Sequence, residues 1–310
     1  MRKPRGSALL ALSAAAVLAG VLSGCSATAP AGDAPAGEAS GSGFAVDEST
    51  LVFGVVPDSV DTETNYQPLM DYLAQETGKK VEYHESTDYA ALIEASIAGK
   101  IDVASFSGFT YVTAKNQGAE ITPISSITTT EGAEPGYFSQ AIVPKGSDIK
   151  TVADMKGKKV CFVDPSSTSG YLFPSYNLLK NDVDPETDVT PIFAGKHDVS
   201  VQKVGEGVEC EAGWAEDSEV EKSDKVEVID ETMVPGAPIV VSDALPKDLV
   251  AQITDLLAAV SADEMVDAGI ESAASDAFRS VFFETTPVDD AYYDTVRDIC
   301  KTTNASQCQA

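Results

Sequence analysis

Three adjacent hydroxyls followed by a glycine, Ser167-Thr168-Ser169-Gly170, lie between the apolar run Val160-Cys161-Phe162-Val163 and the spaced apolar residues Leu172, Phe173, Tyr176, Leu178 and Leu179. That order predicts a buried strand over 159–164, a turn, and a helix beginning near Ser169. A helix start exposes unpaired backbone N–H groups at the positive end of its dipole. Hydroxyls placed there form a cradle for a small oxyanion without any fixed cation. An N-cap needs one hydroxyl, and the run from Ser166 to Ser169 exceeds that need. A nucleophilic serine in this turn is the competing chemistry. It would need a base, the chain has only His84 and His197, and no Gly-x-Ser-x-Gly elbow is present. The cysteine and histidine spacings match no metal site, and no cofactor is called for.

The elements that must position this turn follow a simple rhythm. Short apolar runs alternate with amphipathic helical patterns from residue 51 onward, as in βαβ units with parallel sheets. Strands are expected over 51–56, 80–84 and 101–106, with helices over 64–77, 89–98 and 109–116, each stopped by a glycine. Strands over 121–128 and 138–143 follow, the second leaving the first set. A second set comprises a helical turn at 149–155, strands over 159–164, 189–194 and 208–214, and helices over 169–180 and 198–204. A short helix near 217–222, strands over 225–229 and 238–242, and helices over 246–260 and 289–302 complete the chain. The expected fold class is α/β, with two Rossmann-like lobes joined by two crossing segments. Doubly wound sheets hold ligands beyond the C-terminal ends of their strands. With the order second-first-third in each lobe, Ser166 to Ser169, Lys196-His197 and Trp214 to Glu216 would face Pro57-Asp58-Ser59, Glu85 to Tyr89 and Ser107-Gly108 across one cleft.

Charge and the chain's beginning set further bounds. The formal net charge is −28, and loss of a leader carrying Arg2, Lys3 and Arg5 would make it more negative still. Such a surface repels phosphate backbones and anionic lipid heads, so nucleic acid is not expected as a partner. Residues 1–24 read as a secretory signal ending in Leu22-Ser23-Gly24-Cys25, a lipobox in which Cys25 would be lipidated. Residues 25–49 are rich in Ala, Gly, Ser and Pro and read as a flexible tether, placing the body outside the cell membrane on a lipid anchor. Four cysteines remain, with three possible pairings. Cys300 and Cys308 are neighbours in sequence, which leaves Cys161 with Cys210, a pairing that the strand order supports; free thiols are the alternative.

The segment Asp164-Pro165-Ser166-Ser167-Thr168-Ser169-Gly170-Tyr171 resembles the signature loop of substrate-binding proteins of phosphate/phosphite/phosphonate ABC transporters, the PhnD-like family. Thr87-Asp88-Tyr89, Pro135-Gly136-Tyr137, Ala194-Gly195-Lys196-His197-Asp198 and Val234-Pro235-Gly236-Ala237-Pro238 fall in that family's order. The resemblance implies a type 2 periplasmic-binding-protein fold with its ligand in the interlobe cleft. Lobe 1 would hold 50–140 and 242–310, and lobe 2 would hold 141–241. It also implies that Ser167, Thr168 and Ser169 contact the oxyanion, and that Tyr89, Tyr137 and His197 donate to it, with either tautomer or the cation open for His197. Glu216 matches a carboxylate that holds the amine in aminoalkylphosphonate binders, whereas Ala237 stands where a second such carboxylate would be. Half the amine clamp is therefore missing, which favours phosphite, a simple alkylphosphonate or phosphate. The implied partners are this small phosphorus oxyanion, an ABC permease and its ATPase, with the protein acting as a monomer. A ligand-sensing module of a membrane receptor is the alternative, and an exported serine hydrolase a weaker one.

Overall fold

Alternation along a single strand shows how the first sheet is covered. In β1 (Thr50–Val55), Leu51, Phe53 and Val55 join one apolar cluster while Val52 joins another, the two-residue period of a strand buried on both faces. The structure is a computed structural model describing residues 43–309, so the expected leader, Cys25 and most of the tether lie outside the described residues. The first cluster is closed by α1 (Thr62–Thr77) and α7 (Lys247–Leu257), through Leu69, Leu73, Leu249 and Ile253. The second is closed by α2 (Tyr89–Ile97), α3 (Gly108–Asn116) and α10 (Asp294–Thr303), through Leu92, Val112 and Val296.

With β2 (Lys80–His84), β3 (Val103–Ser105), β4 (Ile121–Thr128), β10 (Pro238–Ser242) and β11 (Glu284–Thr286), the sheet of lobe 1 has the order β11-β4-β10-β3-β1-β2. β1 is parallel to β2 and β3, and the other pairs are antiparallel. Lobe 2 contains β5 (Gly136–Pro144), β6 (Lys159–Phe162), β7 (Thr190–Phe193), β8 (Ala212–Glu216) and β9 (Val226–Pro235), in the order β7-β6-β8-β5-β9. Its helices are α4 (Phe173–Lys180), α5 (His197–Glu206) and α6 (Asp217–Val220). In both sheets the first parallel strand sits between the second and third, which aims the loops after β1, β6 and β8 at one cleft. The structure joins Cys161 to Cys210 and Cys300 to Cys308, each with a Cα–Cα distance of 5.6 Å.

Several boundaries differ from expectation. Junctions after 140 and 241 would cut β5 and β10, which are continuous strands, and the change of sheet falls instead in 129–135 and 236–237. The body starts before residue 50. Phe44 is buried, the Ala45 N–H donates to Asp102 Oδ1 at 2.9 Å, and a side chain on Gly43 (φ +80°) would meet the Ala244 carbonyl. The 208–214 strand begins only at Ala212, because Gly207 caps α5 in a left-handed conformation and Val208 is exposed. β9 runs to Pro235 instead of ending at 229, being paired with β5 throughout. The chain between α7 and α10 holds α8 (Ala262–Asp267), α9 (Asp276–Arg279) and β11, none of which the apolar pattern announces.

The two crossings are held from the C-terminal tail. The Tyr292 hydroxyl donates to the carbonyl of Pro135 in one crossing, and the Tyr293 hydroxyl donates to that of Gly236 in the other at 3.2 Å. Gly236 is needed there, since an added Cβ would lie 2.3 Å from Ser126 Oγ.

Candidate functional site

The hydroxyl turn after β6 is built from its own backbone. Asp164 Oδ1 accepts from the Ser166 N–H at 2.7 Å, and its carbonyl accepts from the Ser167 N–H at 2.9 Å. Ser167 Oγ then accepts from the Gly170 N–H at 3.0 Å, an N-cap in the expected place. The helix it caps is not an ordinary one. Thr168–Leu172 form a π-turn, closed by Leu172 N–H to the Ser167 carbonyl, and α4 starts only at Phe173. The wide turn keeps Thr168 and Ser169 buried at the cleft while Gly170 presses on Val163, 2.4 Å from where a Cβ would stand.

The opposite wall meets this turn directly. The Phe109 N–H at the start of α3 donates to Thr168 Oγ1 at 2.7 Å, and Thr110 Oγ1 donates to the Ser166 carbonyl at 3.0 Å. Ser169 Oγ donates to the Tyr137 hydroxyl at 3.2 Å, while Ser139 Oγ donates to the Ser169 carbonyl at 2.6 Å. Tyr89, the first residue of α2, is buried, and its phenol has no hydrogen-bond partner among the described residues. Burial holds both Tyr89 and Tyr137 as neutral phenols far above their usual pKa, reinforced by the nearby Asp58 and Glu216 carboxylates.

His197 opens α5 and is almost wholly buried. Its N–H donates to the Asp58 carbonyl at 2.8 Å, and its Nδ1 accepts from the Glu216 N–H at 2.9 Å. Burial lowers its pKa to about 4, so the ring is neutral with its proton on Nε2, which settles the tautomer and removes the cation. Lys196, beside it, sends its ammonium to the Ser59 carbonyl at 2.9 Å, another bond between the walls. Glu216 ends β8 with Oε1 accepting from Ser218 Oγ at 3.0 Å and Oε2 lying 3.9 Å from His197 Nε2. Trp214, on the same strand, is not a wall of the cleft; it stacks on Phe162 inside lobe 2, with ring centroids 5.8 Å apart.

Between Tyr137, Glu216 and lobe 1 lies a cavity of about 90 Å³, lined also by Asp58, Ser59, Thr62, Asn65, Tyr66 and Ala237. Among the described residues no lysine or arginine lines it. Of the residues the sequence proposed, Tyr137 and Glu216 line the cavity and Ser169 and His197 bond to them, whereas Tyr89, Ser167 and Thr168 are buried and are not among its lining residues. Asp58, in the Pro57-Asp58-Ser59 loop that strand order set at the cleft but to which no ligand role was given, lines the cavity just after β1, where a doubly wound sheet presents a ligand contact. Its Oδ1 accepts from Thr62 Oγ1 at 2.7 Å. Burial, with the Glu216 charge, raises its pKa to about 7, and burial raises that of Glu216 to about 7 as well.

Comparison with known proteins gives one answer. Residues 53–286 match the family model described as ABC transporter, phosphonate, periplasmic substrate-binding protein. The chain is 34% identical to the phosphate-import protein PhnD of Mycolicibacterium smegmatis, covering 84% of this chain and 88% of that one. It is 26% identical to the phosphonates-binding periplasmic protein of Escherichia coli, over 62% of this chain and 61% of that protein. In fold it is similar to PhnD1 of Prochlorococcus marinus in complex with methylphosphonate, with a TM-score of 0.71 at 17% identity over 84% of this chain and all of that one. Members of this group are solute-binding components of ABC importers and not enzymes. The chain belongs to the family of periplasmic substrate-binding proteins of phosphonate ABC transporters.

Proposed function

We propose that this protein captures a small phosphorus oxyanion in the cleft and delivers it to an ABC permease driven by its ATPase, working as a monomer tethered outside the membrane through a lipid on Cys25. The observation that carries the reading is a set of neutral donors on both walls without a cation among the cavity's lining residues: the phenols of Tyr89 and Tyr137, the Nε2–H of His197, and the hydroxyls of Ser167, Thr168 and Ser169. Donors on opposite walls act together only when the walls meet, so a bound anion favours the closed form. Charged hydrogen bonds contribute about 1.5–3 kcal/mol each, and five or six of them suffice for roughly sub-micromolar binding after ordering costs.

The relatives named for phosphate import and for phosphonate binding support a ligand of this class. A cavity of about 90 Å³, the share of about three waters, suits phosphate, phosphite or methylphosphonate better than a long-chain phosphonate. Titration calorimetry with these three anions tests the function. Binding of at least one with a Kd of about 1 μM or below is expected, and absence of heat with all three would sink it.

A further inference from the structure

An anion site walled by carboxylates poses a question of charge. Asp58 comes from lobe 1 and Glu216 from lobe 2, and both line the same cavity. Glu219, also lining it, has its own cation in Lys222 at 2.7 Å, and Asp217 completes the acidic rim. Asp58 has none. One of its oxygens accepts from Thr62 Oγ1, and the other has no partner among the described residues. Among the described residues neither Tyr66, which pairs with Ser105 at 2.9 Å, nor His197 Nε2 makes a hydrogen bond to Asp58. A carboxylate in this position repels a bare oxyanion. It attracts one that still carries a hydroxyl.

We propose that Asp58 is a specificity residue whose carboxylate accepts a hydrogen bond from the proton retained on bound hydrogen phosphate, so that the site selects a P–O–H-bearing anion over oxyanions that carry no proton. The proposal rests on the function proposed above and adds the ligand's protonation state to it. The donors of Tyr89, Tyr137, His197 and the hydroxyl turn serve the unprotonated oxygens, and Asp58 serves the protonated one from the opposite wall. An oxyanion without that proton sets two like charges face to face and leaves the acceptor unpaired, the arrangement by which a buried polar group rejects an analogue lacking its partner. Among the described residues no lysine or arginine lines the cavity, and the ammonium of Lys196 is engaged by the Ser59 carbonyl, which leaves the repulsion only partly offset.

Calorimetry on the folded mature protein separates the cases in alkaline buffer well above the second ionisation of both phosphate and methylphosphonate, because there inorganic phosphate keeps one proton while methylphosphonate has lost nearly all of its last and sulfate has none. Wild type is expected to bind phosphate at least about 100-fold more tightly than either. In Asp58→Asn, whose amide donates to an unprotonated oxygen, that ratio is expected to shrink by about 10-fold or more. A wild-type preference below about threefold overturns the proposal even if Asp58→Asn does not fold, as does a ratio unchanged in a folded Asp58→Asn. In both of those results a phosphorus anion still binds, so the capture function stands. Failure of all phosphorus anions to bind removes that function and the proposal together.

Discussion

The backbone N–H of Glu216 donates to Nδ1 of His197 at 2.9 Å. One bond between the end of β8 and the start of α5 thus fixes both the ring's orientation and the nitrogen that carries its proton. Nitrogen-15 spectra of labelled protein are expected to show a neutral Nε2–H tautomer at neutral pH, with protonation only near pH 4. Signals of an imidazolium at neutral pH would contradict the assignment. His197→Ala should weaken anion binding about 100-fold, and His197→Gln, whose amide reaches out in a similar direction, by less.

The pH dependence of stability in the ligand-free protein has a definite sign. Asp58 and Glu216 have folded-state values raised to about 7, so their contribution is whole below their ordinary values of 3.8 and 4.5 and is lost as pH rises through about 7. His197 acts oppositely; its value falls from 6.5 to about 4, so its contribution is present above 6.5 and lost as pH falls toward 4. Asp58→Asn should therefore raise the melting temperature relative to wild type at slightly alkaline pH and leave little difference near pH 4. A constant difference across that range would exclude Asp58 as the titrating group.

Gly170→Ala separates packing from chemistry in the hydroxyl turn. Its Cβ would press on Val163, at a cost of about 1–3 kcal/mol in stability. Ser169→Ala loses the bond to Tyr137 and, on the function proposed above, a hydroxyl that would turn to the ligand, so binding should fall while the melting temperature holds within a few degrees. Equal losses of stability in both variants would mean that Ser169 is structural.

Ala237 and Glu216 line the same cavity. Ala237→Asp should improve affinity for aminoethylphosphonate and weaken that for phosphate in the same titrations. Unchanged preference would remove this position from the specificity account.

The two disulfides differ in what they restrain. Cys161–Cys210 spans 49 residues and is buried, while Cys300–Cys308 spans 8. On loop entropy alone, replacing the first pair by alanines should cost about 1.5 kcal/mol more than replacing the second, measured by denaturant unfolding. A larger loss from the C-terminal pair would point to strain or packing instead.

Much of this was legible in the chain. β2, β4 and β10 fall on the residues expected, because each is a β-branched or apolar run ended by a turn or glycine. The hydroxyl turn, His197 and Glu216 were placed together by strand order alone, a property of doubly wound sheets. What stayed hidden depends on partners distant in sequence. Nothing local tells that β9 continues along β5 to Pro235, or that three residues at Glu284–Thr286 pair with β4. The π-turn at Thr168–Leu172 lies where Gly170 meets Val163, a contact that no period reveals. Ser261 and Glu264 form a capping box at the start of α8, but the helix is too short for an apolar face to register and it was not expected. Strand order set Pro57-Asp58-Ser59 at the cleft, but only the cavity and the bond from Thr62 single out Asp58 within that loop.

Tyr292 and Tyr293 each hold one of the two strands of chain that connect the lobes, and both sit at the head of the helix whose far end carries the Cys300–Cys308 bond. In a receptor that binds by closing, the fraction of time spent competent scales the apparent affinity. The tail, which contributes no donor to the anion, thereby enters the binding constant: loosening it changes how often the jaws meet, and with that how little solute the cell can harvest.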